Sequence, residues 1–90
     1  MFSLLHNHFT DFSIGKDQIC VGTISLTSTP DESLVEAKRK CNDDERCTMF
    51  STHPNNPAQR YGYCDASATK QFSEGQTLYI QGVTTLDHIN

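Results

Sequence analysis

Apolar residues fall along this chain in short groups separated by polar stretches, the pattern of several short strands and one helix. Phe9, Phe12 and Ile14 mark a first strand over residues 9–14, after an irregular start. Gly15, Lys16 and Asp17 then predict a turn. In residues 19–26, Ile24 and Leu26 alternate with Thr23 and Ser25, which predicts a half-buried strand, and Gly22 marks a bulge in it. Later strands are predicted over residues 47–51, from Tyr61 to Cys64, and over residues 77–81. Residues 52–60 hold Pro54, Asn55, Asn56 and Pro57, which predict a loop. The polar run 66–75 predicts a second excursion, and the tail 83–90 has little pattern.

The helix carries the clearest local signals. Thr29 is placed to cap it, Pro30 suits the first helical position because its missing N–H has no intrahelical partner there, and Glu32 completes a capping box. Asp31 and Glu32 face the positive end of the helix dipole, and Lys38, Arg39 and Lys40 face the negative end. Leu34, Ala37 and Cys41 share one face at helical spacing, so the helix is expected to run from Pro30 to Cys41 with that stripe inward. Residues 42–45 form the exit turn.

Ninety residues make one domain, short enough that a staple such as a disulfide or a metal is expected. With 36% apolar and 20% charged residues, the composition is that of a folded chain rather than a disordered one. The net charge of −4 and a single basic run, Lys38 to Lys40, argue against nucleic acid as a partner. No apolar stretch approaches the roughly 20 residues of a membrane-spanning helix. The first eight residues lack the basic region, apolar run and cleavage site of a signal peptide, which conflicts with a secreted origin unless Met1 is internal to a longer precursor.

Four cysteines, Cys20, Cys41, Cys47 and Cys64, suggest two disulfides with three possible pairings. Zinc fits less well, because its structural sites draw ligands from close pairs such as C-x2-C. The closest pair here, Cys41 and Cys47, is wider, and His53 has no partner at finger spacing. No metal and no cofactor is expected.

The order helix, Cys41, Cys47, strand, loop, Cys64, strand resembles a PAN/apple domain. The resemblance is carried by residues 37–51, by Tyr63 and Cys64, by Leu78, Tyr79 and Ile80, and by Cys20 to Ile24 in the first strand. It implies an α+β fold in which one helix packs on a curved antiparallel sheet, with an N-terminal arm at 1–8, the domain at 9–82 and a tail at 83–90. It also implies that Cys41 at the helix end bonds to Cys47 on the following strand. Many family members carry a second helix cysteine where this chain has Ala37, and on that account the resemblance implies a Cys20–Cys64 bond. Cys41–Cys64 with Cys20–Cys47 is the alternative. The outer cysteine pair of longer apple domains is absent, which likens the chain to the shorter four-cysteine modules.

The resemblance implies binding of a protein or a carbohydrate rather than catalysis. Within the variable loop, His53, Asn55, Asn56, Gln59, Arg60 and Tyr61 are the candidate ligand-binding residues, since amides, a guanidinium and an aromatic suit a sugar or a carboxylate; an ordinary solvent-exposed polar loop is the simpler explanation and the one favoured. His6 and His8 are better read as part of a terminus than as metal ligands. Phe50, Tyr61, Tyr63 and Tyr79 are expected to pack in the core rather than form a stacking platform. A structural subunit of a larger assembly is the rival reading, with Phe2, Leu4 and Leu5 as a docking arm. A thiol enzyme lacks its C-x-x-C motif and its triad. The expected location is extracellular or at the cell surface, with an oxidising organelle lumen as the alternative.

Overall fold

The computed structural model describes residues 11–53 and 56–82. Phe2, Leu4, Leu5, His6, His8, Phe9, Asn55 and the tail 83–90, all named above, lie outside the described residues. The chain runs β1 (Phe12–Thr23), α1 (Leu34–Asp43), β2 (Met49–Thr52) and β3 (Tyr61–Gln81). One helix packs on an antiparallel three-stranded sheet of order β1-β3-β2, an α+β architecture held by two disulfides.

The sheet curls on itself. Phe50 of β2 lies opposite both Tyr63 and Tyr79, and Ser51 lies opposite both Gly62 and Leu78. Thr48 repeats the arrangement just before β2: its N–H donates to Cys64 O at 2.9 Å and its carbonyl accepts from Gln81 N at 2.9 Å. The two ends of β3 therefore flank β2 on opposite edges and point the same way. The β1–β3 ribbon between them must bend, and it does so at two irregularities in its register. Between the pairs Lys16–Thr77 and Gln18–Phe72, Asp17 alone stands against residues 73–76. Between Val21–Thr69 and Thr23–Cys64, Gly22 alone stands against residues 65–68. Asp17 and Gly22 both adopt positive φ, 59° and 103°, the backbone that unequal strands need at a bulge. Asp17 Oδ1 ties the first bend across the ribbon by accepting the Gly75 N–H at 2.8 Å.

Two sequence expectations change here. Gly15, Lys16 and Asp17 form no turn; β1 continues through them and bulges at Asp17. The polar run 66–75 is strand, not an excursion. Most of its residues stand exposed in the ribbon, so no inward face selects apolar residues and the period-2 signal is missing. The bulge expected at Gly22 is present. Residues 24–26 leave the strand, yet Ile24 and Leu26 still pack against the core.

The helix starts later than Pro30. Ser33 is its N-cap, with the hydroxyl accepting the Glu36 N–H at 3.1 Å, and Thr29 caps a preceding turn through its carbonyl instead. Both Thr29-x-x-Glu32 and Ser33-x-x-Glu36 satisfy the capping pattern. The second prevails because Glu32 is drawn inward: its side chain is only 3% exposed and pairs with Lys40 Nζ at 2.6 Å. The helix also continues past Cys41 to Asp43, where Asp44 closes it with its N–H on the carbonyls of Lys40 and Cys41.

Ala37 and Cys41 are fully buried, and Leu34 packs beside them, as the stripe predicts. They meet Cys47, Phe50, Tyr61 and Tyr63 in one core cluster. Phe50 is its hub, stacked on Tyr79 with centroids 5.0 Å apart and edge-on to Phe12 and Tyr61 at 5.4 Å. Such geometries suit the aromatic quadrupole. The strand aromatics thus pack as core, as expected. Cys20, Met49, Cys64 and Leu78 form a second cluster on the other side of β2.

Each disulfide belongs to one cluster. Cys41–Cys47 bridges the helix end to the approach of β2, with Cα atoms 5.1 Å apart, and Cys20–Cys64 ties β1 to β3 at 6.4 Å. This is the pairing the resemblance implies, and no cysteine is left free.

Candidate functional site

The loop between β2 and β3 is closed at its base and sewn to the segment before the helix. His53 N–H donates to Arg60 O at 2.9 Å. Arg60 N–H donates to Thr29 O at 3.1 Å, and Tyr61 N–H donates to Ser28 Oγ at 3.2 Å. Within the loop, Asn56 Oδ1 accepts the Ala58 N–H at 3.0 Å, a local turn that Asn favours. Gln59 N–H reaches Asn56 O at 3.1 Å, and the Gln59 amide donates to Tyr61 O at 3.4 Å.

The predicted site residues therefore divide by role. Arg60 is exposed, with its guanidinium 5.8 Å from the Tyr61 ring centroid, a cation–π distance. His53 lies half-buried over Gly62, where any β-carbon would come within 3.4 Å of the imidazole. Asn56 and Gln59 engage part of their hydrogen-bonding capacity in shaping the loop. Tyr61 is buried against Phe50, and burial pushes its phenol above the ordinary value. Asn55 lies outside the described residues. Of the candidate residues described, Arg60 is exposed and His53, Asn56 and Gln59 are half-buried.

Beneath this loop lies a polar core network. The Tyr63 hydroxyl, fully buried, donates to Glu32 Oε1 at 2.8 Å, and Lys40 Nζ completes the triad while donating to Thr27 O at 2.9 Å. Burial pushes the Glu32 carboxyl up, but hydrogen bonds from Lys40, Ser28 and Tyr63 and the Lys40 charge together hold it below its usual range. Burial pushes the Tyr63 phenol far above its usual range, with the bond to Glu32 and its charge adding to the effect. The network pins residues 27–32 to the helix and to β3, and so fixes the carbonyl and hydroxyl that hold Arg60 and Tyr61. The network was not legible as a unit: Glu32 read as a cap, Lys40 as a charge at the negative end of the helix dipole and Tyr63 as packing.

Among the described residues, no group of three or more His, Cys, Asp or Glu side chains gathers as for a metal ion. No helix among them is long and apolar enough to cross a membrane. The two disulfides are consistent with an oxidising environment. No family model, curated protein or solved structure matches this chain at a significant level.

Proposed function

We propose that this chain is a non-catalytic binding module of the PAN/apple type, engaging a protein or a carbohydrate at the cell surface, outside the cell or in an oxidising lumen. The observation that carries the reading is a loop presented by a rigid base. Residues 53 and 60 are joined by a backbone hydrogen bond, Arg60 and Tyr61 are anchored to Thr29 and Ser28, and Arg60 itself is exposed. A scaffold stapled twice keeps such a surface ordered before a ligand arrives, which lowers the entropy cost of binding. The Cys41–Cys47 link from helix end to strand supports the family likeness. With every cysteine in a disulfide, the chain offers no thiolate for nucleophilic chemistry.

The test is a glycan array and a peptide array, each probed with the oxidised wild type and with Arg60→Ala. Selective binding that Arg60→Ala weakens supports the reading. Blank arrays of both kinds count against it.

A second reading, a structural subunit, is favoured by one observation. Ile14 and Val21 stand 67% and 42% exposed on β1, the outer strand of the sheet order. Exposed apolar residues on an edge strand suit addition of a neighbour. Sedimentation velocity over a concentration series decides it: self-association abolished by Ile14→Lys supports the subunit, and a monomer at every concentration sinks it.

A further inference from the structure

The first bend of the β1–β3 ribbon carries a second feature, outside the 53–61 loop. It is a shallow, open depression of about 250 Å³ lined by Lys16, Asp17, Gln18, Lys70, Gln71 and Phe72. Phe72 is 73% exposed and lies opposite Gln18 in the ribbon register. It is a large apolar side chain in an otherwise polar stretch, and it belongs to neither core cluster. Packing therefore gives no account of it.

The other residues lining the depression are all polar. Gln18 and Gln71 supply two amides, each able to donate and to accept. Lys16 and Lys70 supply two ammonium groups. The only carboxylate in the lining, Asp17, is engaged through Oδ1 with the Gly75 N–H at 2.8 Å. In a chain of net charge −4, this pocket is locally positive.

We propose that this pocket binds a single acidic pyranose, a uronic-acid-type residue at the end of a glycan; the inference rests on the binding-module reading and deepens it. A pyranose ring has one face of C–H bonds, which stacks on the negative face of an aromatic ring. Its hydroxyls both donate and accept, which matches the two amides. Its carboxylate meets Lys16 and Lys70, which act as mobile point charges. The volume decides the size: it lies below the roughly 300–1,000 Å³ of pockets for drug-sized ligands, so it accommodates one ring rather than a chain. An acidic peptide would be held poorly, because a lone exposed aromatic among amides and lysines offers no apolar wall for its side chains.

The test is a titration of the ¹⁵N-labelled, oxidised chain with glucuronate and, separately, glucose, followed by amide chemical shifts. The expected result is shift changes gathered at residues 16–18 and 70–72, with a dissociation constant for glucuronate of about 1–10 mM and at least about tenfold weaker binding of glucose. Phe72→Ala and Lys70→Glu, both exposed substitutions, each weaken glucuronate about tenfold or more while leaving the remaining spectrum in place. Equal affinity for the two sugars overturns the role given to the lysines. Shift changes gathered instead at residues 53–61 overturn this pocket and leave the binding-module reading standing. No response to either sugar at about 50 mM overturns the pocket as a sugar site, and blank glycan and peptide arrays are then what would remove the broader reading as well.

Discussion

Replacing Tyr63 with Phe removes a single hydroxyl from the buried network and leaves the ring volume unchanged. The hydroxyl sits 2.8 Å from Glu32 Oε1, the ring is fully buried and the Glu32 side chain is 3% exposed, so water cannot take its place without opening the core. A hydrogen bond to a charged group contributes about 1.5–3 kcal/mol. Lys40 stays 2.6 Å from the carboxylate and is itself 26% exposed, so part of the charge remains compensated and the middle of that range applies, about 2 kcal/mol. For a domain of this size each kcal/mol moves Tm by about 4–8 °C, so Tyr63→Phe is expected to melt about 8–16 °C below wild type. Urea unfolding of the oxidised protein, at neutral pH, gives the free energy directly. A double-mutant cycle with Glu32→Gln isolates the pair, and the expected coupling is about 1 kcal/mol or more. A loss within about 0.5 kcal/mol of wild type, or the same loss in the Glu32→Gln background, would falsify the network as a source of stability.

The two disulfides differ in the length of chain they close, 44 residues for Cys20–Cys64 and 6 for Cys41–Cys47. In the chain-entropy treatment these contribute about 4 and about 2 kcal/mol, so paired Cys→Ala replacement of the first is expected to lower the urea midpoint more; the reverse order would show that native packing, not loop closure, dominates. Ser33→Ala should cost about 1 kcal/mol through the lost bond to Glu36 N–H, and Thr29→Ala, whose hydroxyl caps nothing, less than about half of that by thermal melting. Gly22→Ala meets only Ala68 at 3.9 Å, an ordinary contact, so its expected cost of about 1–2 kcal/mol comes from the backbone at φ 103°. The Tyr63 phenol is raised on folding from an ordinary value of 10.0. Its contribution is complete below that pH and is lost as the pH rises beyond it, because the unfolded chain ionises there first. Urea midpoints are therefore expected to fall as the pH rises above about 10, and to fall less in Tyr63→Phe.

What could be read in the sequence follows from how local the cause is. The helix stripe Leu34, Ala37 and Cys41 and the bulge at Gly22 are written in side-chain spacing and in one residue's backbone freedom, and both are present. The start of the helix is not local. Two capping patterns compete, and the choice between them depends on Lys40 and Tyr63, which lie 8 and 31 residues from Glu32 in sequence. The ribbon was missed for the opposite reason. Within 66–75 only residues 69–72 pair with the β1 backbone, the residues on either side bulge, and most side chains remain in water, so the composition reads as loop. For the candidate site, the loop, its exposed Arg60 and the core packing of Tyr61 were legible, while the backbone ties from Arg60 and Tyr61 to Thr29 and Ser28 were not, because they join residues about 30 apart in sequence. The ribbon pocket left one trace, Phe72 among polar neighbours.

The flanking of β2 by both ends of β3 also sets an order of assembly. A strand held on both edges cannot acquire its second edge until the ribbon has bent back, which joins residues as distant as Phe12 and Gln81. Helix and Cys41–Cys47 need only a short stretch of chain, so in oxidative refolding that bond is expected first, with Cys20–Cys64 following when the ribbon closes. The species that accumulates is then a one-disulfide chain with a formed helix and an open β2. Until the second bond forms, β2 is the segment most exposed to pairing with another molecule, so yield in refolding should fall with protein concentration and recover when oxidation is fast.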